Sequence, residues 1–190
     1  MRGNAFHRAM ELMDFQAVVG DCFAEVPADY ETYQRGLTGV DLYGRIGAFL
    51  EKEVASMHLS QEYFDALNLK KLAVFMESDY AWRMWAADRR GELYREQPFV
   101  LGVAAQRVSS EFPQEETVLI QGIIDVFWVE NGEIVLLDYK TDVIDSMDEL
   151  WNRYETQLDY YQEALGRLMC MPVKEKVLYS FYLQKGSFAH

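Results

Sequence analysis

Residues 121–140 read QGIIDVFWVENGEIVLLDYK, and this stretch decides the fold. Two apolar runs, residues 123–129 and 134–137, flank Asn131-Gly132, the strongest short-range signal for a two-residue hairpin turn. With Asn131 and Gly132 at the centre of the turn, Glu130 pairs with Glu133. Stepping outward sets Asp125 directly opposite Asp138, with both side chains on one face. Lys140, two residues beyond Asp138, projects from that face too. Like charges directly opposite each other destabilise a strand pair. Burying an unpaired carboxylate between Ile124 and Val126 costs several kcal/mol more. A bound cation resolves both conflicts, and oxygen ligands of this kind suit magnesium or manganese. The competing reading is a register shifted by one residue, with one acid at a strand end in water.

At 190 residues the chain reads as one domain, 1–190, with enough length for a sizeable core. Its residues are 50% hydrophobic and 14% aromatic, which points to a folded globular protein rather than disorder. No apolar run approaches the roughly 20 residues that cross a bilayer. The first 15 residues, MRGNAFHRAMELMDF, place acids and a histidine where a signal peptide has its apolar core, so a cytoplasmic location is expected. Cys22 and Cys170 are too few for a disulfide scaffold, a zinc ribbon or a four-cysteine iron–sulfur cluster. The formal charge of −13, from 18 basic and 31 acidic residues, argues against an autonomous nucleic-acid binder with a broad basic footprint. Nucleic acid remains open as a substrate, because a bound metal neutralises phosphate locally.

Working outward from the hairpin, residues 4–19 predict an amphipathic helix on the spacing of Phe6, Met10, Met13 and Ala17. His7 borders that stripe, with Glu11 one turn later; a core-edge histidine bonded to a neighbour and a simple helix pair both fit. Residues 41–88 are helical in pattern, with breaks near Leu59 and Asn68, and their aromatic and aliphatic residues read as packing. Arg83, Arg89 and Arg90 form a basic cluster, either a solvated face or a phosphate-steering one. Gly91 ends the helices. Residues 93–103 predict a strand that Pro98 puts at an edge or a bulge. A polar loop over 105–116 precedes the hairpin strands at 117–129 and 133–139. A long helix over 148–169, with Asp148 as its cap or first-turn acid, and a last strand over 173–183 complete the chain. The order is helices, three strands, helix, strand. It predicts an α/β fold, with a mainly helical part (1–91), a sheet core (92–190), a mixed central sheet and helices on both sides.

Four motifs then stand in one order: Gly3-Asn4-Ala5-Phe6-His7, Gly122-Ile123-Ile124-Asp125, Asp138-Tyr139-Lys140, and Gln157 with Tyr161. Together they resemble the PD-(D/E)XK nuclease superfamily, whose core is restriction-endonuclease-like. The closer likeness, over nearly the whole chain, is to the nuclease domain of AddA/RecB-type helicase–nuclease subunits. The resemblance implies that His7, Asp125, Asp138 and the backbone carbonyl of Tyr139 hold a magnesium ion, for which manganese substitutes. It implies that Lys140 orients or deprotonates the attacking water. Gln157 and Tyr161, on one helix face, would face DNA or brace the site, and Glu96 resembles a family acid on the first strand. Without metal, Lys140 is expected to form a salt bridge to Asp138 or Asp125. The two cysteines set the chain apart from the iron–sulfur members of the wider group.

Three functions are consistent with this reading. The favoured one is a magnesium-dependent deoxyribonuclease, acting on single-stranded DNA ends during recombinational repair of double-strand breaks. It would be an exonuclease, with endonuclease activity open as an addition. The resemblance gives it two partners, a helicase domain and a second subunit. The sequence contains no G-x-x-x-x-G-K-[S/T] phosphate loop, so an excised nuclease domain or a stand-alone relative is expected. The alternatives are a non-catalytic module that holds DNA or docks a partner, and a stand-alone nuclease of the same superfamily.

Overall fold

A computed structural model describes residues 2–113 and 115–188. Asn131 and Gly132 adopt φ of 54° and 81°, so both turn residues are left-handed. That is the backbone of a two-residue turn whose twist matches the strands it joins, and Gly132 adopts it without a Cβ penalty. From the turn, β2 (Thr117–Glu130) and β3 (Glu133–Lys140) run antiparallel in the predicted register, from Glu130 opposite Glu133 to Val126 opposite Leu137. β1 (Leu93–Ala104) pairs antiparallel with the outer side of β2, and Pro98 lies on this edge strand. After β3 the chain crosses through α8 (Met147–Met169) and returns as β4 (Val173–Ser180), parallel to β3. A parallel pair requires such a crossover.

The predicted last strand over 173–183 is too long. The chain turns after Ser180 and comes back as a fifth strand, β5 (Lys185–Phe188), antiparallel to β4. The sheet order is β1-β2-β3-β4-β5, a mixed sheet with one strand more than the sequence predicts. The Lys-Gly-Ser-Phe segment has no apolar alternation to announce it. Its place depends on a neighbour instead. A Cβ on Gly186 would come within 2.4 Å of the Tyr80 ring, so only glycine lets the strand lie there.

The helical part is a series of short helices, each restarted by its own cap. The predicted single helix over 4–19 is two, α1 (Arg2–Leu12) and α2 (Phe15–Val19). Asp14 accepts a hydrogen bond from the Ala17 amide at 3.0 Å and opens α2. The restart rotates the second stretch, burying Phe15 and Val18 and leaving Ala17 exposed. In the same way Asp29 opens α3 (Tyr30–Leu37), Asp41 opens α4 (Leu42–Ala55) and Ser60 opens α5 (Gln61–Ala66). Asn68 opens α6 (Leu69–Met76) and Ser78 opens α7 (Asp79–Arg90). α8 is capped by Ser146, two residues before the predicted start, and Asp148 sits in its first turn, the second of its two predicted places. A carboxylate there favours the positive end of the helix dipole.

Both faces of the sheet are covered. Val135, Leu137 and Tyr139 point into a core shared with α1, α2, α4, α6 and α7. Ile134 and Leu136 point into a second core under α8. This explains why the run at 134–137 is apolar without alternation.

The predicted basic cluster does not act as a unit. The Arg83 guanidinium donates to both carboxylate oxygens of Glu130, at 2.8 and 3.0 Å, and to those of Glu175 at 3.2 and 2.7 Å. It therefore clamps α7 to β2 and β4, at the turn end of the hairpin. Burial alone would raise the Glu130 pKa, but the hydrogen bonds from Arg83, Trp128 and Lys174 outweigh it and hold it at about 2. That contribution is present at neutral pH and is lost progressively as pH falls from about 4.5 through about 2. Arg83→Ala leaves two half-buried carboxylates facing each other and is expected to cost about 2–4 kcal/mol in urea denaturation. Arg83→Lys is expected to recover only part, because an ammonium lacks the planar fork. A loss under about 0.5 kcal/mol for Arg83→Ala would show the clamp to be idle.

Candidate active site

The site forms where the hairpin ladder ends. One step past Val126–Leu137, Asp125 and Asp138 come together, but the backbone pairing has stopped. Instead the Asp125 carboxylate accepts a hydrogen bond from the Tyr139 amide at 2.8 Å. On the other side of β2, Arg95 pairs with Val126 and Gln97 with Ile124, leaving Glu96 opposite Asp125. Glu96 has a φ of 48°, a left-handed conformation costing about 1–3 kcal/mol for a residue with a side chain. The alternation of β2 breaks at the same level: Ile124 joins the core under α8, whereas Val126 joins the opposite core. The strained Glu96 and the pivot at Asp125 thus turn two acids toward one place.

Asp138 is 2% exposed. The Lys140 ammonium lies 2.5 Å from its Oδ2 and is the charge that offsets this buried carboxylate. Burial first, and then the charge of Asp125, push the Asp138 carboxyl up to about 6, against the pull of Lys140 and His7. Glu96 is raised as well, by burial and by Asp125 and Glu11.

α1 brings His7 to the same point. Its Nε2 is 3.0 Å from Asp125 Oδ2 and 3.1 Å from the Tyr139 carbonyl, while Nδ1 is 2.9 Å from the Gly3 carbonyl. Burial disfavours the charged ring, but the hydrogen bond and charge of Asp125 outweigh it and raise the pKa to about 9. Both nitrogens face oxygens, so the ring is held as an imidazolium. The bond to Gly3 fixes the proton on Nδ1 and leaves Nε2 as the nitrogen that a metal could take. Glu11, the other predicted neighbour of His7, instead pairs with Arg8.

Lys140 is held from the α8 side. Its Nζ donates to Gln157 Oε1 at 3.0 Å, and Gln157 Nε2 donates in turn to the Tyr161 hydroxyl. Tyr161 is buried and packs edge-on against Phe99, whereas Gln157 is half-buried. Burial foremost, with Asp138 next, raises the Tyr161 hydroxyl to about 12. The sequence reading missed Tyr154, whose ring lies 3.9 Å beneath Lys140 Nζ and whose hydroxyl donates to Asp142. The 154, 157, 161 spacing of one helix face was the available signal.

Every residue singled out from the sequence (His7, Glu96, Asp125, Asp138, Tyr139, Lys140, Gln157 and Tyr161) is therefore in this one neighbourhood. Among the described residues, no three His, Cys, Asp or Glu side chains form a ready-made metal cage. The donors that converge are two carboxylates, an imidazole nitrogen and a main-chain carbonyl. This oxygen-rich set suits a hard divalent cation. A proton on His7 Nε2 now bridges two of those oxygens.

The family model described as PD-(D/E)XK nuclease superfamily matches residues 1–188. The chain is 32% identical to an ATP-dependent helicase/nuclease subunit of Lachnoclostridium phytofermentans, over 97% of this chain and 14% of that protein. The proteins of the same name from Clostridium botulinum (strain Alaska E43) and Clostridium beijerinckii are 31% and 33% identical, each over 97% of this chain. They are matched over 13% and 14% of their own length, so the chain spans about a seventh of these curated relatives. The family match over almost its full length, together with the hairpin that sets Asp125 beside Asp138 and Lys140, shows that this chain belongs to the PD-(D/E)XK nuclease superfamily.

Proposed function

We propose that the protein hydrolyses phosphodiester bonds in DNA using a magnesium ion, with manganese as a substitute. His7 Nε2, Asp125, Asp138 and the Tyr139 carbonyl would hold the ion. The observation that carries this reading is the convergence of the buried Asp138 carboxylate, Asp125, the His7 ring and the Tyr139 carbonyl beside Lys140. When bound there, a divalent cation supplies a water acidic enough to attack at neutral pH and offsets charge on the phosphoryl oxygens. Lys140 would orient that water and stabilise the phosphate as an ammonium or, having first released a proton to solvent, take up the proton of the water. Gln157, Tyr161 and Tyr154 position Lys140, and Glu96 supports Asp125 from the neighbouring strand.

The relatives' name, which joins helicase to nuclease, supports a role in processing DNA ends for double-strand-break repair. On that reading residues 1–190 act as one nuclease domain, exonucleolytic on single strands delivered by a helicase domain, alongside a second subunit. No helix among the described residues is long and apolar enough to cross a membrane, and a cytoplasmic site of action fits such a partner.

The test is cleavage of end-labelled single-stranded DNA with magnesium, with manganese and with EDTA. Cutting is expected with either metal and not with EDTA, and Asp125→Asn is expected to lose at least about 100-fold in rate. Products formed equally in EDTA or by Asp125→Asn would refute the assignment.

A further inference from the structure

A groove of about 790 Å³ opens beside the candidate site, between the first turns of α4 and α6 and the connection from β3 to α8. It meets the site at two places along the chain. Phe6, on its floor, precedes His7, and Thr141, on its wall, follows Lys140. The groove also has an unusual surface. Tyr43, Val143 and Tyr182 line it with 52%, 75% and 43% of their surface in solvent, among the few large apolar side chains so exposed. Exposed ring faces offer area to a flat partner.

Its charge departs from that of the chain. Lys70 and Lys71 line the groove against a single lining acid, Asp65, in a protein of formal net charge −13. Asp65 is engaged by the Gln61 side chain at 2.8 Å. Both lysines sit in the first turn of α6, which carries no acid there. Cations at that end of a helix oppose its dipole. Such a pair is unfavourable for the free helix and becomes favourable once an anion lies across it. Lys71 Nζ also stands 5.2 Å from the centre of the Tyr182 ring, so the positive charge and an aromatic face occupy the same few ångströms.

We propose that this groove is a subsite for single-stranded DNA flanking the bond to be cut, an inference that rests on the nuclease reading above. Lys70 and Lys71 take backbone phosphates, and Tyr43 and Tyr182 take unpaired bases. Bases within a duplex present no free face to those rings, so the combination selects a single strand.

Binding of a fluorescent oligothymidylate by the 190-residue protein is measured by anisotropy in EDTA, over a salt series. The Lys70→Ala/Lys71→Ala protein is expected to bind about tenfold more weakly at low salt, with the slope of log affinity against log salt reduced by about 1.4. Tyr43→Ala/Tyr182→Ala is expected to lose at least about fivefold with the slope unchanged. Lys52→Ala, a lysine outside the groove, should bind as the parent does. In steady-state cleavage with magnesium, the groove variants should raise KM far more than they lower kcat. Parental affinity and slope in both double variants, no binding by the parent, or equal affinity for a duplex of the same length would each overturn the subsite. Binding is read without metal or cleavage, which separates the two proposals. A protein that binds through the groove but never cuts refutes only the nuclease reading, and one that cuts while its groove variants bind normally refutes only the groove.

Discussion

Asp138→Asn is expected to lose cleavage and, in EDTA at pH 7, to be more stable than the parent by about 1–3 kcal/mol. The two effects have one cause. Asp138 is buried, and burial with the Asp125 charge lifts its pKa from 3.8 to about 6 despite its pairing with Lys140. A carboxyl whose folded pKa lies above its unfolded value binds more protons folded than unfolded between the two. Its ionisation therefore lowers stability as pH rises from about 4 to about 6, and the loss persists above. Asparagine has no such charge. The variant and the parent should be alike near pH 4 and diverge by pH 7, in urea denaturation followed in EDTA. Magnesium should then stabilise the parent by binding its folded state and leave the variant unmoved. A variant less stable than the parent at pH 7 in EDTA would show that the Asp138–Lys140 ion pair is a structural support, and the case for a cation site would fail.

This conflict between stability and charge is also what made the site legible in the sequence. Asn131-Gly132 fixed the register, and the register brought Asp125 to Asp138. Both rest on local chemistry that a pattern carries: a left-handed turn and a period of two. The restarts at Ser60 and Asn68 were similarly visible as breaks in helical periodicity, whereas the one at Ser78 was not. What stayed hidden depends on contacts between distant segments. β5 is held by its pairing with β4 and by the fit of Gly186 against Tyr80, and neither leaves a trace in four residues. The left-handed Glu96 answers the pivot of β2, not any feature of its own neighbours. Arg83 looked like part of a basic face because Glu130 and Glu175 lie 47 and 92 residues away along the chain. Gln157 and Tyr161 were found only as members of a joint motif, and their hydrogen-bonded order, lysine to amide to phenol, came from the packing of α8.

Lys140→Ala is expected to lower kcat by about 10²–10⁴ while metal binding survives. Lys140 is 12% exposed and held by three contacts, at 2.5 Å to Asp138, 3.0 Å to Gln157 and 3.9 Å to the centre of the Tyr154 ring. So constrained, the ammonium loses little further freedom when substrate arrives, and its charge lies beside the acids that would hold the metal. Removing it deletes a nearby positive charge, so magnesium affinity, read by titration calorimetry, should hold or rise even as turnover collapses. Lys140→Arg separates the two tasks assigned to this residue. A guanidinium keeps the charge but does not give up a proton near neutral pH. Restoration of most of the rate by arginine would assign Lys140 to charge stabilisation alone, whereas arginine no better than alanine would assign it to proton transfer from the attacking water. Gln157→Ala, which frees one of the three contacts, should lower kcat by about tenfold with little change in metal affinity. A Lys140→Ala protein that cuts at the parental rate would place the chemistry elsewhere, because among the described residues no other lysine or arginine forms an ion pair with Asp138.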